Sequence, residues 1–213
     1  MFTQKKELQA DFKEEAVKSV EFVNSLLSEM SKKDKKIRSL ETKVSALKLT
    51  CDELEQYSRK NSIRLRGIPE AEGENVEEIV LNTLNQKLAL EPPLSPVEID
   101  RTHRVGKKDD PPSASKPRGI LVKFTSYRAR HRVFSLKKNL PKPLYLNEDL
   151  TKRRSDLLYK ARKLKREGVI KDCWSSDGKL LLRNNRGVVI PFKDLQSLEK
   201  EISAPNTSSS SPD

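Results

Sequence analysis

The chain is short of nearly everything that a large apolar interior, a secreted scaffold or a catalytic metal centre requires. Aromatic residues are 5% of its 213 residues, and all aliphatic, aromatic and sulfur side chains together reach only 34%. One globule of this length would need nearer half of its residues apolar, so the composition points to small domains joined to an elongated part. No stretch approaches the ~18 consecutive apolar residues of a transmembrane helix. The opening MFTQKKELQADF has no apolar core of the kind a signal peptide carries. Both absences predict an intracellular chain with no membrane partner.

Cysteine and histidine are equally scarce. Cys51 and Cys173 have no paired spacing that would suggest a disulfide framework, and both are expected to be small buried residues. His103 and His131 fall in no CxxC, HExxH or HxxxH pattern, so no metal or other cofactor is expected. No Gly-rich phosphate loop and no Ser/His/Asp or Cys/His set stands at strand ends, which argues against an enzyme and leaves no catalytic residue to name.

Charge is what the chain has in excess. Forty-three Lys and Arg stand against 31 Asp and Glu, a formal net charge of +12. The excess is +2 over residues 1–60, +4 over 61–150 and +6 over 151–213, so it grows toward the C-terminal side. A polyanion partner fits this asymmetry, and nucleic acid is the commonest one.

Residues 12–54 follow a heptad register with Ala16, Val23, Met30, Ile37, Val44 and Cys51 at a, and Phe12, Ser19, Leu26, Lys33, Leu40, Leu47 and Leu54 at d. No Gly or Pro interrupts residues 1–66. So narrow a seam on a polar helix is buried only against other helices, which predicts self-association through Met30, Ile37, Leu40, Val44, Leu47, Cys51 and Leu54. β-branched residues at a with Leu at d favour two strands. The run Lys36-Ile37-Arg38-Ser39-Leu40-Glu41 is similar to a pattern found in trimers, with Lys36 where Arg is usual.

After the coil, Ser62-Ile63-Arg64-Leu65-Arg66 alternates, with Ile63 and Leu65 on one face and Arg64 and Arg66 on the other. A helical period over Val76, Ile79, Val80, Leu84 and Leu88 follows, then a basic strand over Ile99–Val105. A flexible loop is expected over residues 107–117, then a strand over Gly119–Phe124, a helix capped by Ser126 and reaching Leu140, and a strand at Leu144-Tyr145-Leu146. The order βαββαβ is that of a ferredoxin-like fold. Glu70, Glu72 and Glu74 read as solvated loop acids. Thr151–Glu167 is a strongly basic helix with Leu157, Ala161 and Leu164 along one stripe, and Gly168 is placed to end it in a left-handed cap. Lys179–Arg183 and Gly187–Ile190 flank a hairpin turn at residues 184–186. A further helix over Lys193–Ile202 and a disordered tail, residues 203–213, complete the chain. The expected domains are a coiled coil (1–60), an RNA-recognition-like domain (61–150) and a basic α/β domain (151–202). The fold class is α+β.

Ile63-Arg64-Leu65-Arg66-Gly67-Ile68-Pro69 resembles the first-strand motif of RNA-recognition domains, and Arg118–Phe124 resembles their third-strand motif, although neither keeps the base-stacking aromatics. Together with Leu54–Asn61, Ile99–Gly106 and the Lys179-Leu180 pair, the whole order resembles the first-open-reading-frame protein of LINE-type (non-LTR) retrotransposons, the transposase-22-like RNA-binding family. That resemblance implies a homotrimer with a trimeric coiled coil. It implies a protein that binds single-stranded RNA, and single-stranded DNA as well, acts as a nucleic-acid chaperone and packages element RNA into a cytoplasmic ribonucleoprotein, with the nucleus as a second compartment. The element's reverse transcriptase would be its protein partner. The residues expected to contact RNA are Arg64, Arg66, Arg101, Arg104, Arg118, Lys123, Arg153, Arg154, Arg162, Lys163 and Arg183, with the basic helix forming the second wall of a groove. The rivals are a host coiled-coil adaptor for RNA or DNA and a structural scaffold unrelated to retrotransposition. Trp174 reads as a core or interface anchor before a stacking platform.

Overall fold

The computed structural model describes residues 2–107, 117–194 and 197, with the backbone alone for residues 2–12. The expected flexible loop over 107–117, the helix over Lys193–Ile202 and the tail beyond it lie almost wholly outside the described residues. The chain is α+β and divides into two compact units, residues 1–51 and 52–213.

The first unit is helix throughout, the bulk of α1 (Phe2–Ser58). Its seam faces solvent on the single chain: Ile37, Leu40 and Val44 are each about half exposed, and Met30 and Leu47 more so. Cys51 is exposed as well, contrary to the expectation of burial, because position a of an unpartnered seam meets water.

The second unit begins with the last turns of α1, residues 52–58, and holds two hydrophobic clusters. The first is built on a four-stranded antiparallel sheet of β1 (Ser62–Arg66), β2 (Ile99–Arg104), β3 (Ile120–Phe124) and β4 (Tyr145–Glu148), in the order β2-β3-β1-β4. Alternation sends Ile63, Leu65, Ile120, Val122 and Phe124 into one side. There they meet Val80, Leu84 and Leu88 of α2 (Val76–Leu88) and Ala129 and Val133 of α3 (Tyr127–Ser135). Asn75 caps α2 by accepting from Glu78 N, and Ser126 caps α3 by accepting from Ala129 N, each satisfying an otherwise orphan amide. The second of these helices ends at Ser135, short of the expected Leu140. The chain tightens there into a 3-10 turn over Lys137–Asn139 ahead of Pro141, which a helix does not run into.

The second cluster lies between α4 (Lys152–Arg166) and a three-stranded antiparallel sheet of β5 (Asp172–Ser176), β6 (Lys179–Arg183) and β7 (Val189–Phe192). Thr151 caps α4, and Gly168 follows it at φ +74, the left-handed end expected of it. Leu157, Leu158 and Ala161 pack on Cys173, Leu180, Leu182 and Phe192. The strand β5 has no counterpart in the sequence reading.

Polar hooks join the two clusters inside this unit. The Gln56 side chain donates to the Asp149 carbonyl and accepts from Thr151 N, both at 3.0 Å. Glu148, buried, accepts from Arg130 at 2.9 Å and from the amides of Asp177 and Gly178 at 2.7 and 3.2 Å. Gly178, at φ +79, lets this turn in: a Cβ there would stand 2.6 Å from Gln56 Cγ. No described helix is long and apolar enough to cross a membrane.

Candidate nucleic-acid interface

The face of the four-stranded sheet that carries no helix is set by the same alternation that fills the core. With Ile63 and Leu65 inward, Arg64 and Arg66 must point the other way. Register brings Asn147 opposite Arg64 and Tyr145 opposite Arg66 on one side, and Lys123 opposite Ser62 on the other. Beside this face lies a cleft of about 570 Å³, lined by Arg59, Arg64, Arg66, Lys152 and Arg162 among its cations, with Tyr145, Asn147, Leu150, Ser155 and Leu158 between them. Its single acidic lining residue, Glu148, is already taken by Arg130 and two amides.

The cations differ in how free they are. Asp149, whose side chain is 4% exposed, accepts from Arg59 Nη1 at 3.0 Å and from Arg64 Nε at 2.6 Å. That contact spends only one edge of the Arg64 guanidinium. Both terminal nitrogens of Arg64 remain without a partner among the described residues, in a fork geometry suited to phosphate oxygens. Lys152 pairs with Asp156 on the surface, an i,i+4 contact of little strength. Arg66 and Arg162 are exposed and make no ion pair with any described residue.

Of the expected RNA-binding residues, the structure therefore brings Arg64, Arg66 and Arg162 into one cleft and leaves the others elsewhere. Three of them serve the fold. Arg104, with its side chain 4% exposed, meets Glu74 at 2.7 and 2.8 Å and donates to the carbonyls of Ile68, Pro69 and Arg118. Arg118 pairs with Glu70 through Nε and Nη2 and donates to the Gly106 carbonyl. These two glutamates are thus not the solvated loop acids they look like in the sequence. Hydrogen bonding by Arg118 holds the Glu70 carboxyl below its ordinary range, and Arg104 does the same to Glu74.

Arg154 is likewise structural, with Nε on Asp52 at 2.7 Å and Nη1 on the Gly178 carbonyl at 3.0 Å. Burial alone would raise the Asp52 carboxyl, but the hydrogen bonds from Thr151 and Arg154 outweigh it and leave it lowered. Arg153 lies at the rim of that pair, 3.7 Å from Asp52. Lys163 faces Glu167 on the surface, 3.8 Å away. Lys123 and Arg101 share the acid Asp100, at 3.0 and 3.5 Å. Arg183 stacks over Trp174, 5.5 Å from the ring centroid, on the outer side of the second sheet. Trp174 is half-buried there, outside the cluster that its neighbour Cys173 joins.

Among the cleft residues that the sequence did not mark as binding residues are Arg59, Lys152, Tyr145 and Asn147. A signal for the first was present. The seam ends at Leu54, so the turn after it no longer serves the coil and is free to serve the sheet. Among the described residues no group of His, Cys, Asp or Glu is placed to hold a metal ion. Comparison of the chain with protein-family models and with curated proteins returned no match.

Proposed function

We propose that this protein binds single-stranded RNA along the open face of its four-stranded sheet. In this reading it self-associates through the α1 seam as a trimer in preference to a dimer, and acts as a nucleic-acid chaperone that packages LINE-type element RNA into a cytoplasmic ribonucleoprotein. The observation that carries the reading is the cleft, where five cationic side chains converge and the only acid among them is spent on other partners. Cations that track a backbone give affinity without sequence readout, which fits a coating and chaperoning role better than recognition of one site. The strand order β2-β3-β1-β4, with both helices on one side, supports the ferredoxin-like, RNA-recognition reading of the first α/β part. The exposed seam of Ile37, Leu40, Val44 and Leu47 supports self-association, since a narrow apolar row in water is stabilised by a second copy.

Fluorescence anisotropy of a labelled 20-nucleotide single-stranded RNA, followed across salt concentration, tests the binding. Single strands give a log–log slope of about −0.7 per phosphate neutralised, so occupation of the cleft by several phosphates gives roughly −3. Preference for duplex, or a slope near zero, overturns the reading. Sedimentation equilibrium tests the assembly: three times the chain mass is expected, with Leu40→Pro reduced to monomer.

A further inference from the structure

We propose that the cleft holds one unpaired nucleotide at a defined subsite, its base stacked on the ring of Tyr145 and its flanking phosphates on Arg66 and Arg162. The inference rests on the RNA-binding reading and adds to it a base contact, on a sheet face to which the first and third strands contribute no aromatic, the one in β3, Phe124, being turned into the core.

Phe22 of α1 and Tyr159 of α4 are exposed but do not line the cleft, and the other described aromatic rings outside the core have cations of this chain over them. Phe134 has Arg130 and Lys137 over its ring at 4.3 and 4.0 Å, and Trp174 has Arg183 at 5.5 Å. Tyr127 has Lys60 at 4.7 Å, stacks with His131, and gives its hydroxyl to Asp177. Tyr145 has none of these. Its ring and its hydroxyl have no partner among the described residues, it is 50% exposed, and it is the one aromatic residue in the lining of the cleft.

Its position explains the exposure. It opens β4, an edge strand of the four-stranded sheet, so no further strand flanks it on its outer side. Register sets it directly opposite Arg66, about 5 Å away between Cβ atoms for such a pair, and two residues from Asn147 on the same face. The Asn147 amide offers both a donor and an acceptor. A free ring beside a row of guanidinium groups is the combination that holds single-stranded nucleic acid, one supplying a sequence-tolerant stacking surface and the other tracking the backbone. A duplex keeps its base faces stacked inside and cannot use the ring. The volume of about 570 Å³ is within the range of sites that hold small ligands.

The test uses the intact chain with two 20-nucleotide probes, a single-stranded RNA and an abasic strand of the same length and charge, and the variants Tyr145→Ala and Tyr145→Phe. On RNA, the Phe variant should stay within about twofold of the parent, while the Ala variant should lose at least fivefold, the lower end for one stacked base. On the abasic strand all three proteins should bind alike. Equal losses of the Ala variant on both probes, or no loss on RNA, overturn the base subsite while leaving the RNA reading in place. Failure of the parent chain to bind either probe overturns the RNA reading itself. A 2-aminopurine-labelled RNA gives a readout on the unmutated protein: binding should quench its emission through stacking, and Tyr145→Ala should restore it. Unchanged emission on binding rejects the stack even if the Ala variant fails to fold.

Discussion

The two halves of the four-stranded sheet, β2 with β3 and β1 with β4, carry similar numbers of arginines and use them in opposite ways. In the β2-β3 half, Arg104 and, just before β3, Arg118 are each matched by a glutamate and by backbone carbonyls, and the side chain of Arg104 is nearly buried. In the β1-β4 half, Arg66 has no acidic partner among the described residues, and Arg64 gives Asp149 only its Nε edge. Charge counted along the chain treats these arginines alike. What separates them is whether the fold places a carboxylate beside each one, because a guanidinium already satisfied by a buried acid has little left for phosphate.

The largest expected effect breaks the comparison on the side of the fold. Arg104→Ala leaves the Glu74 carboxylate and three carbonyl groups without their donor in a nearly closed site. Removing one partner of a buried pair costs on the order of 3–5 kcal/mol. Denaturant unfolding should register a loss of that size, and RNA affinity measured on the fraction still folded should stay within about twofold. A large affinity loss with unchanged stability would instead move Arg104 into the interface.

Next in size is the cleft side. Arg66→Ala and Arg162→Ala each remove a charge-assisted contact that the fold does not use, at a cost of about 1–3 kcal/mol in binding, and unfolding should be unaffected. If the RNA uses the two as separate contacts, the losses add to within about 0.5 kcal/mol, and a deviation from the sum measures their coupling. Anisotropy on the four proteins of the cycle checks this. Affinity unchanged in both single variants would place the two arginines outside the interface.

How much of this was legible in the sequence follows from the range of the interactions. Ile63 and Leu65 against Arg64 and Arg66 is a period-two pattern inside five residues, and Ser126 three residues before Ala129 is a local cap, so both could be read from neighbours alone. The strand β5 could not. Asp172-Cys173-Trp174-Ser175-Ser176 puts two small residues, Cys173 and Ser175, inward and an aromatic outward, which leaves no apolar alternation to detect. The acids that silence Arg118 and Arg154 lie 48 and 102 residues away in sequence, and no local rule connects them. The cleft was half visible for the same reason. Arg64, Arg66 and Arg162 were named from their strand and helix. Arg59, Lys152 and Tyr145 join them only because the end of α1, the start of α4 and β4 converge in three dimensions.

Acid should sharpen the contrast between the two halves in a pH-dependent way. Glu70 and Glu74 sit below their ordinary value of 4.5 in the folded chain, and Asp52 below 3.8, so the unfolded chain takes up these protons more readily. Their contribution is therefore complete above about pH 5 and declines as the pH falls through the folded values. The thermal midpoint should be flat from pH 5 to 8 and drop below pH 4.5. Glu70→Gln should lower the midpoint at pH 7 and reduce the slope at acid pH, whereas Arg66→Ala should leave the whole profile as it is.

The smallest effect concerns two cations on the open face of the β2-β3 half. Lys123 and Arg101 face the open side of the sheet, yet both lean on the exposed carboxylate of Asp100 and neither lines the cleft. Hydrogen bonding by Lys123 keeps the Asp100 carboxyl below its ordinary range, so at neutral pH the acid is charged and offsets one of the two cations. Surface pairs of this kind exchange with water and are weak, and each cation remains partly available to a passing phosphate. Lys123→Ala should therefore weaken RNA binding by no more than about twofold. Asp100→Asn should work the other way, since it removes one negative charge and releases both cations at once. A modest gain in affinity is expected at low salt, fading as ionic strength rises and the Debye length shrinks below the spacing of these groups. A Lys123 variant as damaged as Arg66→Ala would extend the interface across the sheet toward β2, and would mean that the carboxylate count beside an arginine or lysine matters less than its position on the open face.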